Sequence, residues 1–204
     1  IFDIGKFTVV GSPTITDDGI VSGFSGARLN TIKVNQISAN NFTIKMKFKL
    51  TDLTQGVLFS SRLTGNNEFG LSAIYNQGKI LVFASSNGTK WDIMSAKTGI
   101  TSLQTNTDYI ITVSFNGTTY LVELENLITN VKTTEITVNS TSKIYSGNNY
   151  IAMGAGLGWL TMKGSIDLKQ FSITVDGKEV FNGLMNSTKP IYDKITTLNT
   201  NLSN

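Results

Sequence analysis

The chain has 204 residues, 40% of them hydrophobic, and its 17 basic and 14 acidic side chains give a net charge of +3. This charge is too small and too scattered to indicate a nucleic-acid partner, which usually requires a clustered basic stripe. The absence of cysteine excludes disulfides, and the absence of histidine removes the commonest general base and zinc ligand. No apolar run approaches roughly 18 residues, so we expect no membrane insertion.

Alternation of apolar and polar residues, the pattern of a half-buried strand, dominates the first half of the chain. In residues 42–50 five apolar residues alternate with threonine and lysine. Two further strands, Gly70–Tyr75 and Lys79–Ala84, are separated by an Asn-Gln-Gly turn. Asn87-Gly88 follows as the signal of another strand pair, because both residues tolerate positive φ.

The second half repeats this pattern. Residues 109–115 and 120–124 alternate on either side of Asn116-Gly117, which predicts a β-hairpin. Asp176-Gly177 marks a further strand pair. Within 165–175 the apolar residues change parity, which predicts a β-bulge near positions 169 and 170.

About a dozen strand candidates at short spacing predict a two-sheet antiparallel sandwich. Only two prolines occur, so no proline-rich linker divides the chain. We therefore predict a single all-β domain over residues 1–186.

Residues 187–204 differ from the rest. Four apolar residues follow the a/d spacing of a coiled coil: Ile191, Ile195, Leu198 and Leu202. Two heptads leave two interpretations open. The segment is the start of a helical stalk that makes a homo-oligomer, or it is an amphipathic or disordered tail.

The order of segments from about residue 40 to residue 183 resembles the concanavalin A/laminin G-like family. The segments that carry the resemblance are NFTIKMKFKL, GVLFSS, FGLSAIYNQGKILVFASSNG, NTDYIITVSFNGTTYLVEL, NNYIAMGAG and MKGSIDLKQFSITVDGKEVF. The last of these is the most specific. It looks like the end of such modules in tail and baseplate proteins of phages and prophages, and in some bacterial surface proteins.

The resemblance implies a jelly roll with one concave and one convex sheet. In this superfamily sugar or protein ligands often meet the concave face or the loops of one rim, sometimes with calcium. These motifs are structural, so they indicate the fold far better than the function.

Two tryptophans are the leading candidates for ligand contact. Trp91, beside Asp92, follows the Asn87-Gly88 turn on an expected short strand, and an indole on a rim is a common platform for a sugar ring. Trp159 follows a glycine-rich loop. The alternative for each is that the indole closes the core.

Neighbouring loop residues complete the expected rim. Arg62 and Asn67 lie in one loop, and Tyr75 and Asn76 end the strand that follows. The arginine offers fixed donors for a carboxylate-bearing sugar or a phosphate. The alternative for each is an ordinary loop residue.

Asp17 and Asp18 supply oxygen atoms of the kind that calcium prefers. No cofactor is required by the sequence, and calcium is the one that these residues allow. Adjacent acids before a glycine are also ordinary turn residues, so both interpretations stay open.

Catalysis has little support. Some enzymes of the superfamily carry carboxylates at alternating positions of one strand, and Glu123 and Glu125 have that spacing, but Leu127 stands where a third acid would fall. We therefore expect no enzyme activity. A row of lysines at 45, 47 and 49 indicates either a site for an anionic polymer or a solvated face.

These observations favour a non-catalytic, lectin-like module that binds a cell-surface or cell-wall glycan. An extracellular or virion-associated location follows from the resemblance. The alternative is a structural spacer or protein-interaction module without sugar binding.

Overall fold

The computed structural model describes residues 7–38, 41–63, 68–158, 160–183 and 198–202. Within them the strands are, in chain order, β1 (Thr8–Val10), β2 (Thr14–Ile15), β3 (Ile20–Ser22), β4 (Arg28–Lys33), β5 (Phe42–Leu50), β6 (Gln55–Ser60), β7 (Leu71–Asn76), β8 (Lys79–Ala84), β9 (Met94–Thr98), β10 (Tyr109–Phe115), β11 (Thr119–Asn126), β12 (Val131–Asn139), β13 (Tyr150–Met153), β14 (Ala155–Gly156), β15 (Leu160–Thr161), β16 (Gly164–Val175) and β17 (Lys178–Asn182). The helical segments among the described residues are a 3₁₀ turn at Val34–Gln36, Gly183 in 3₁₀ conformation and a helical turn at 198–202.

The strands form two large antiparallel sheets. Sheet A has the order β1-β4-β13-β6-β7-β8-β9, and sheet B has the order β12-β11-β10-β5-β16-β3-β2, with β17 paired to β16. A small hairpin, β14-β15, lies against β6. Neighbours such as β4 and β13 are distant in sequence, as expected of a jelly roll. The predicted two-sheet antiparallel sandwich is confirmed.

The core lies between the inward faces of the two sheets. The five apolar residues of β5 are each at most 2% exposed, and the apolar face of β10 is buried beside them. Aromatic rings pack across strand pairs, with the Phe115 and Tyr120 centroids 4.2 Å apart. Each large apolar side chain buried in this way contributes about 1.5–3 kcal/mol.

Three predicted turns join strand pairs as expected. The Asn116 side-chain oxygen accepts hydrogen bonds from the backbone amides of Thr118 and Thr119. Phe115 pairs with Tyr120 across the turn. Gln77 and Gly78, at φ 49° and 74°, join β7 to β8, and residues 176 and 177 join β16 to β17 in the same way. In these last two turns, positive φ at both central positions matches the twist of a two-residue hairpin.

The turn predicted at Asn87-Gly88 is longer than a hairpin loop. Strands β8 and β9 do pair, but residues 85–93 connect them. Trp91 lies in this connection, so its expected position on a short strand is wrong. A loop held by side-chain hydrogen bonds replaces the strand, as described below.

The bulge predicted in β16 is confirmed. Asp167 pairs with Lys47 and Ser172 pairs with Lys45, so residues 168–171 stand opposite a single residue of β5. Leu168 and Phe171 are both fully buried as a result. The extra residues return the second half of the strand to the core.

The predicted tail falls mostly outside the described residues, because residues 184–197 and 203–204 are not described. Residues 198–202 are helical, with Leu198 60% exposed and Leu202 84% exposed. The domain boundary at 186 and the stalk stay predictions. Within the part of the chain described, no helix is long and apolar enough to span a membrane.

Candidate functional site

Sheet A carries a group of aromatic rings on the face that points away from the core. Every second residue of β8 from Ile80 enters the core, so Phe83 faces outward. The Trp91 ring lies 4.6 Å from Phe69 and 5.3 Å from Phe83 between centroids. All three rings are partly exposed. We call Phe69, Phe83 and Trp91 the aromatic cluster.

Backbone hydrogen bonds fix the two loops that supply the cluster. The Phe69 amide donates to the Gly88 carbonyl at 2.9 Å, and the Ser85 amide donates to the Gly70 carbonyl at 2.8 Å. The loop before β7 and the loop after β8 are therefore joined directly. The rings are held together by the backbone as well as by their own contacts.

The loop around Trp91 is ordered by its own polar side chains. The Asn87 side-chain oxygen accepts a hydrogen bond from the Lys90 amide at 3.0 Å. The Asp92 carboxylate accepts one hydrogen bond from the Ser86 amide at 2.8 Å and another from the Ser86 hydroxyl. These hydrogen bonds involve residues before and after Trp91 in the sequence, so they hold the backbone at Trp91 in place without a ligand.

The hydrogen bonds in this loop favour the ionised form of Asp92. Burial raises the pKa of Asp92, but the hydrogen bonds from the Ser86 hydroxyl and amide outweigh it. The pKa therefore lies below the ordinary value of an aspartate. Asp92 closes the loop as a carboxylate.

Arg62 lies over the aromatic cluster. Its guanidinium carbon is 3.8 Å from the Phe69 ring centroid and 5.9 Å from that of Trp91, both within cation–π range. The Arg62 amide donates to the Ser60 hydroxyl at 3.0 Å, and the Arg62 carbonyl accepts from the Leu157 amide at 2.8 Å. The hydrogen bond from the Leu157 amide connects the turn of the β14-β15 hairpin to the loop that carries Arg62.

The acidic groups near this surface are engaged elsewhere. The Glu68 carboxylate accepts hydrogen bonds from the amides of Asn148 and Asn149, the latter at 3.0 Å. Among the described residues no carboxylate pairs with Arg62. The guanidinium therefore presents a positive charge over the aromatic cluster without a direct ion pair to a described residue.

The structure brings together three of the residues expected at the rim: Arg62, Trp91 and Asp92. Trp91 does not close the core, because it packs on outward-facing rings and lies outside the core cluster. Asn67 and Trp159 lie outside the described residues. Their expected part in ligand binding stays a prediction.

Tyr75 and Asn76 are not part of this surface. Tyr75 shares the inward parity of β7 and is fully buried, and its hydroxyl accepts a hydrogen bond from the Lys163 amide at 2.9 Å. Burial raises the pKa of its phenol. Asn76 enters the turn at the far end of β7, roughly 23 Å along the strand from Phe69. The expected rim position of Tyr75 is wrong, and a ligand contact of Asn76 stays a prediction away from the aromatic cluster.

Two members of the aromatic cluster, Phe69 and Phe83, were not among the residues singled out in the sequence. Phe83 could have been found, because Leu81 and Phe83 occupy the outward parity of β8, where polar residues are expected. Phe69 could not, because it precedes its strand and only the bond to Gly88 brings it to Trp91.

The turn at Asp17 and Asp18 does not fit a calcium ion. The Thr16 hydroxyl donates to the Asp18 carboxylate at 2.5 Å, and this bond lowers the pKa of Asp18. The Lys169 ammonium donates to the Asp18 carbonyl, so a cation already sits there. Within the described ranges no group of three or more acidic side chains is placed to hold a metal. Ordinary turn chemistry explains Asp18, whereas a part for Asp17 in calcium binding stays a prediction.

The outward face of sheet B carries the remaining charged candidates. Lys47 lies 3.6 Å from Asp167, and Lys49 lies 3.8 Å from Asp108. Glu123, on the outward parity of β11, lies 3.5 Å from Lys132. These partly exposed pairs contribute little to stability, and they describe a solvated, charge-balanced face.

No family model matches this sequence, and no curated protein matches it. Solved structures do. Basic winged bean lectin with Tn-antigen has a TM-score of 0.57 at 12% identity, over 87% of this chain and 96% of that one. Domain 4 of AbnA, an extracellular arabinanase of Geobacillus stearothermophilus, in complex with arabinotriose, has a TM-score of 0.55 at 14% identity, over 84% of each chain.

A third similar structure is the exoplasmic/lumenal domain of VIP36 in its Ca²⁺/Man-bound form. Its TM-score is 0.54 at 13% identity, over 79% of this chain and 80% of that one. The chain has the concanavalin A/laminin G-like jelly-roll fold. At these identities the likeness concerns the fold alone, and a shared fold does not imply a shared binding site.

Proposed function

We propose that this chain is a non-catalytic, lectin-like module that binds a glycan at the aromatic cluster. The observation that carries the proposal is the partly exposed indole of Trp91, held between Phe69 and Phe83 on the outward face of sheet A. A flat apolar ring fixed in place stacks on the C–H face of a sugar at little entropic cost.

The polar groups around the ring suit such a ligand. Arg62 supplies donors near the ring, and the exposed side chains of Asn87, Thr89 and Lys90 belong to the same loop as Trp91. Sugars need both kinds of contact, apolar for the ring and polar for the hydroxyl groups.

The comparisons support a binding role without assigning it. The similar winged bean lectin, arabinanase domain and VIP36 domain were each solved with a sugar, as Tn-antigen, arabinotriose and mannose. The arabinanase domain belongs to an enzyme, so a binding module attached to a catalytic partner is one setting for this fold. Recognition of a host-surface glycan by a phage tail protein or a bacterial adhesin, outside a cell or on a virion, is the setting that we propose here.

The test is a glycan array together with a binding assay on bacterial cell walls, with and without calcium. We expect Trp91→Ala to lose binding while keeping the circular dichroism spectrum of the wild type. Tyr150→Ala is the matched control. Tyr150 is a 37% exposed ring on β13 of the same sheet, with the Lys33 ammonium 5.9 Å from its centroid and with β6 and β7 between β13 and β8.

Retained binding in Trp91→Ala, or an equal loss in Tyr150→Ala, would refute this site. Binding to no glycan by the folded wild type would refute the function and favour a structural spacer. Calcium-dependent binding would require a metal position beyond the Asp17-Asp18 turn.

A further inference from the structure

We infer that the aromatic cluster selects anionic glycans, and that Arg62 reads a carboxylate or phosphate group carried by the sugar. This inference rests on the proposed function, since it names the ligand class of the same site. It concerns the chemistry of the ligand and not the identity of any one sugar.

The first step is the state of the Arg62 side chain. Stacking on Phe69 covers one flat face of the guanidinium. The N–H donors lie in the plane of the group, so stacking leaves them free to point past the ring edge. No described residue forms an ion pair with them.

The second step is the local charge. The two carboxylates of the surrounding loops are bound elsewhere, Glu68 to the amides of Asn148 and Asn149 and Asp92 to Ser86. Lys90, next to Trp91, is exposed and adds a further positive charge. Hydrogen bonds do not neutralise these two carboxylates, so an anion is attracted by direct contact with the Arg62 guanidinium, which forms no ion pair with a described residue, and not by a local excess of positive charge.

The third step is the spacing. The guanidinium carbon lies 5.9 Å from the centroid of the Trp91 ring, which is about the width of a pyranose. A sugar stacked on Trp91 thus places a group on its ring edge beside the guanidinium. A carboxylate or phosphate accepts two parallel hydrogen bonds from an arginine, which a neutral hydroxyl group cannot do.

The experiment compares matched pairs of glycans on the wild-type chain. The pairs are oligogalacturonate and its methyl ester, sialylated and desialylated oligosaccharides, and a phosphorylated oligosaccharide and the same oligosaccharide without phosphate. The first two carry or lack a carboxylate and the third carries or lacks phosphate, so the pairs distinguish the two anions. We expect the anionic member of the recognised pair to bind about tenfold to a hundredfold more tightly.

Variants then assign the selectivity to Arg62. Arg62→Gln should abolish the preference for the anion, and Arg62→Lys, which keeps the charge but loses the two-pronged geometry, should lose most of it. Lys97→Gln removes the same charge from an exposed position on β9 and should leave the preference intact. Circular dichroism and the melting temperature establish that each variant is folded.

The results separate the two proposals. Equal affinity for both members of a pair, with binding still lost in Trp91→Ala, would overturn the anion selectivity and leave sugar binding standing. A preference that survives in both Arg62 variants would also overturn the inference. Binding to neither member of any pair, nor to any glycan on the array, would overturn both proposals.

Discussion

The Glu135 carboxylate accepts two hydrogen bonds from Thr101, one from the backbone amide at 2.9 Å and one from the hydroxyl at 2.8 Å. Glu135 lies on β12 at one edge of sheet B, and Thr101 follows β9 at one edge of sheet A. The side chain of Glu135 is only 5% exposed. A buried acid therefore joins the two sheets at the side of the sandwich.

We expect this link to contribute to stability. Glu135→Ala should lower the free energy of unfolding by about 1–2 kcal/mol, because it leaves a partly buried amide without its acceptor, and Thr101→Val should lower it by about 1 kcal/mol. Urea denaturation measures both values. The control is Glu179→Ala at an exposed position on β17, and an equal effect there would contradict the link.

Substitutions at two glycines allow the cost of backbone strain to be distinguished from the cost of a steric clash. Gly11 and Gly177 have nearly the same φ, 76° and 78°. A Cβ at position 11 would lie 2.3 Å from the Gly26 carbonyl oxygen, whereas a Cβ at position 177 meets nothing within 4 Å.

We expect Gly177→Ala to cost about 1–2 kcal/mol, the strain of the left-handed conformation alone. Gly11→Ala should cost clearly more, because the clash is with backbone, which cannot rotate away. Thermal unfolding of both variants makes the comparison. Equal losses would mean that the strand β1 moves aside freely.

The loop around Trp91 should be sensitive to acid. The folded pKa of Asp92 lies below its ordinary value of about 3.9. Because the pKa of Asp92 is lower in the folded protein than in the unfolded chain, ionised Asp92 stabilises the folded loop at pH values above the unfolded-state pKa. This contribution is lost as the pH falls through the folded-state pKa. We expect Trp91 fluorescence in a Trp159→Phe background to change below about pH 3.9.

Asp92→Asn is the control for that experiment, because it removes the titrating group and should remove this part of the transition. An equal change of Trp91 fluorescence at low pH in the Asp92→Asn variant would show that the transition arises from other carboxylates.

Tyr75→Phe should affect stability and not recognition. Removing the hydroxyl leaves the Lys163 amide without its acceptor, at a cost of about 1 kcal/mol. Glycan binding should be unchanged, because Tyr75 points into the core. Chemical denaturation and the array assay give the two readouts, and weakened binding in a stable variant would return Tyr75 to the site.

Much of the fold could be predicted because its signals are local. Period-two alternation identified β5, β10 and β11, and residues that tolerate positive φ marked the turns that join neighbouring strands. Even the bulge in β16 was visible as a change of parity. The pairing of β5 with β16 was not, because nothing local in either strand specifies a partner so distant in sequence.

The site was predicted only in part, and for the same reason. Trp91 and Arg62 were recognisable by residue type, but their neighbours depend on contacts between separate loops. Tyr75 shows the opposite error. An aromatic residue at the end of a strand looks like a rim residue, and only the packing of Tyr75 in the core beside Leu71 and Ala73 shows that it is buried. Residue type alone, without the direction in which each side chain points, did not identify the residues of the site.

The position of the aromatic cluster has a consequence for how this protein can change. Phe69, Phe83 and Trp91 lie on the far side of sheet A from the residues that hold the two sheets together. Substitutions at these positions and at Arg62 alter what is exposed without opening a cavity between the sheets. Ligand preference and foldability are thus encoded by separate sets of residues, so selection can diversify the first while the second is conserved.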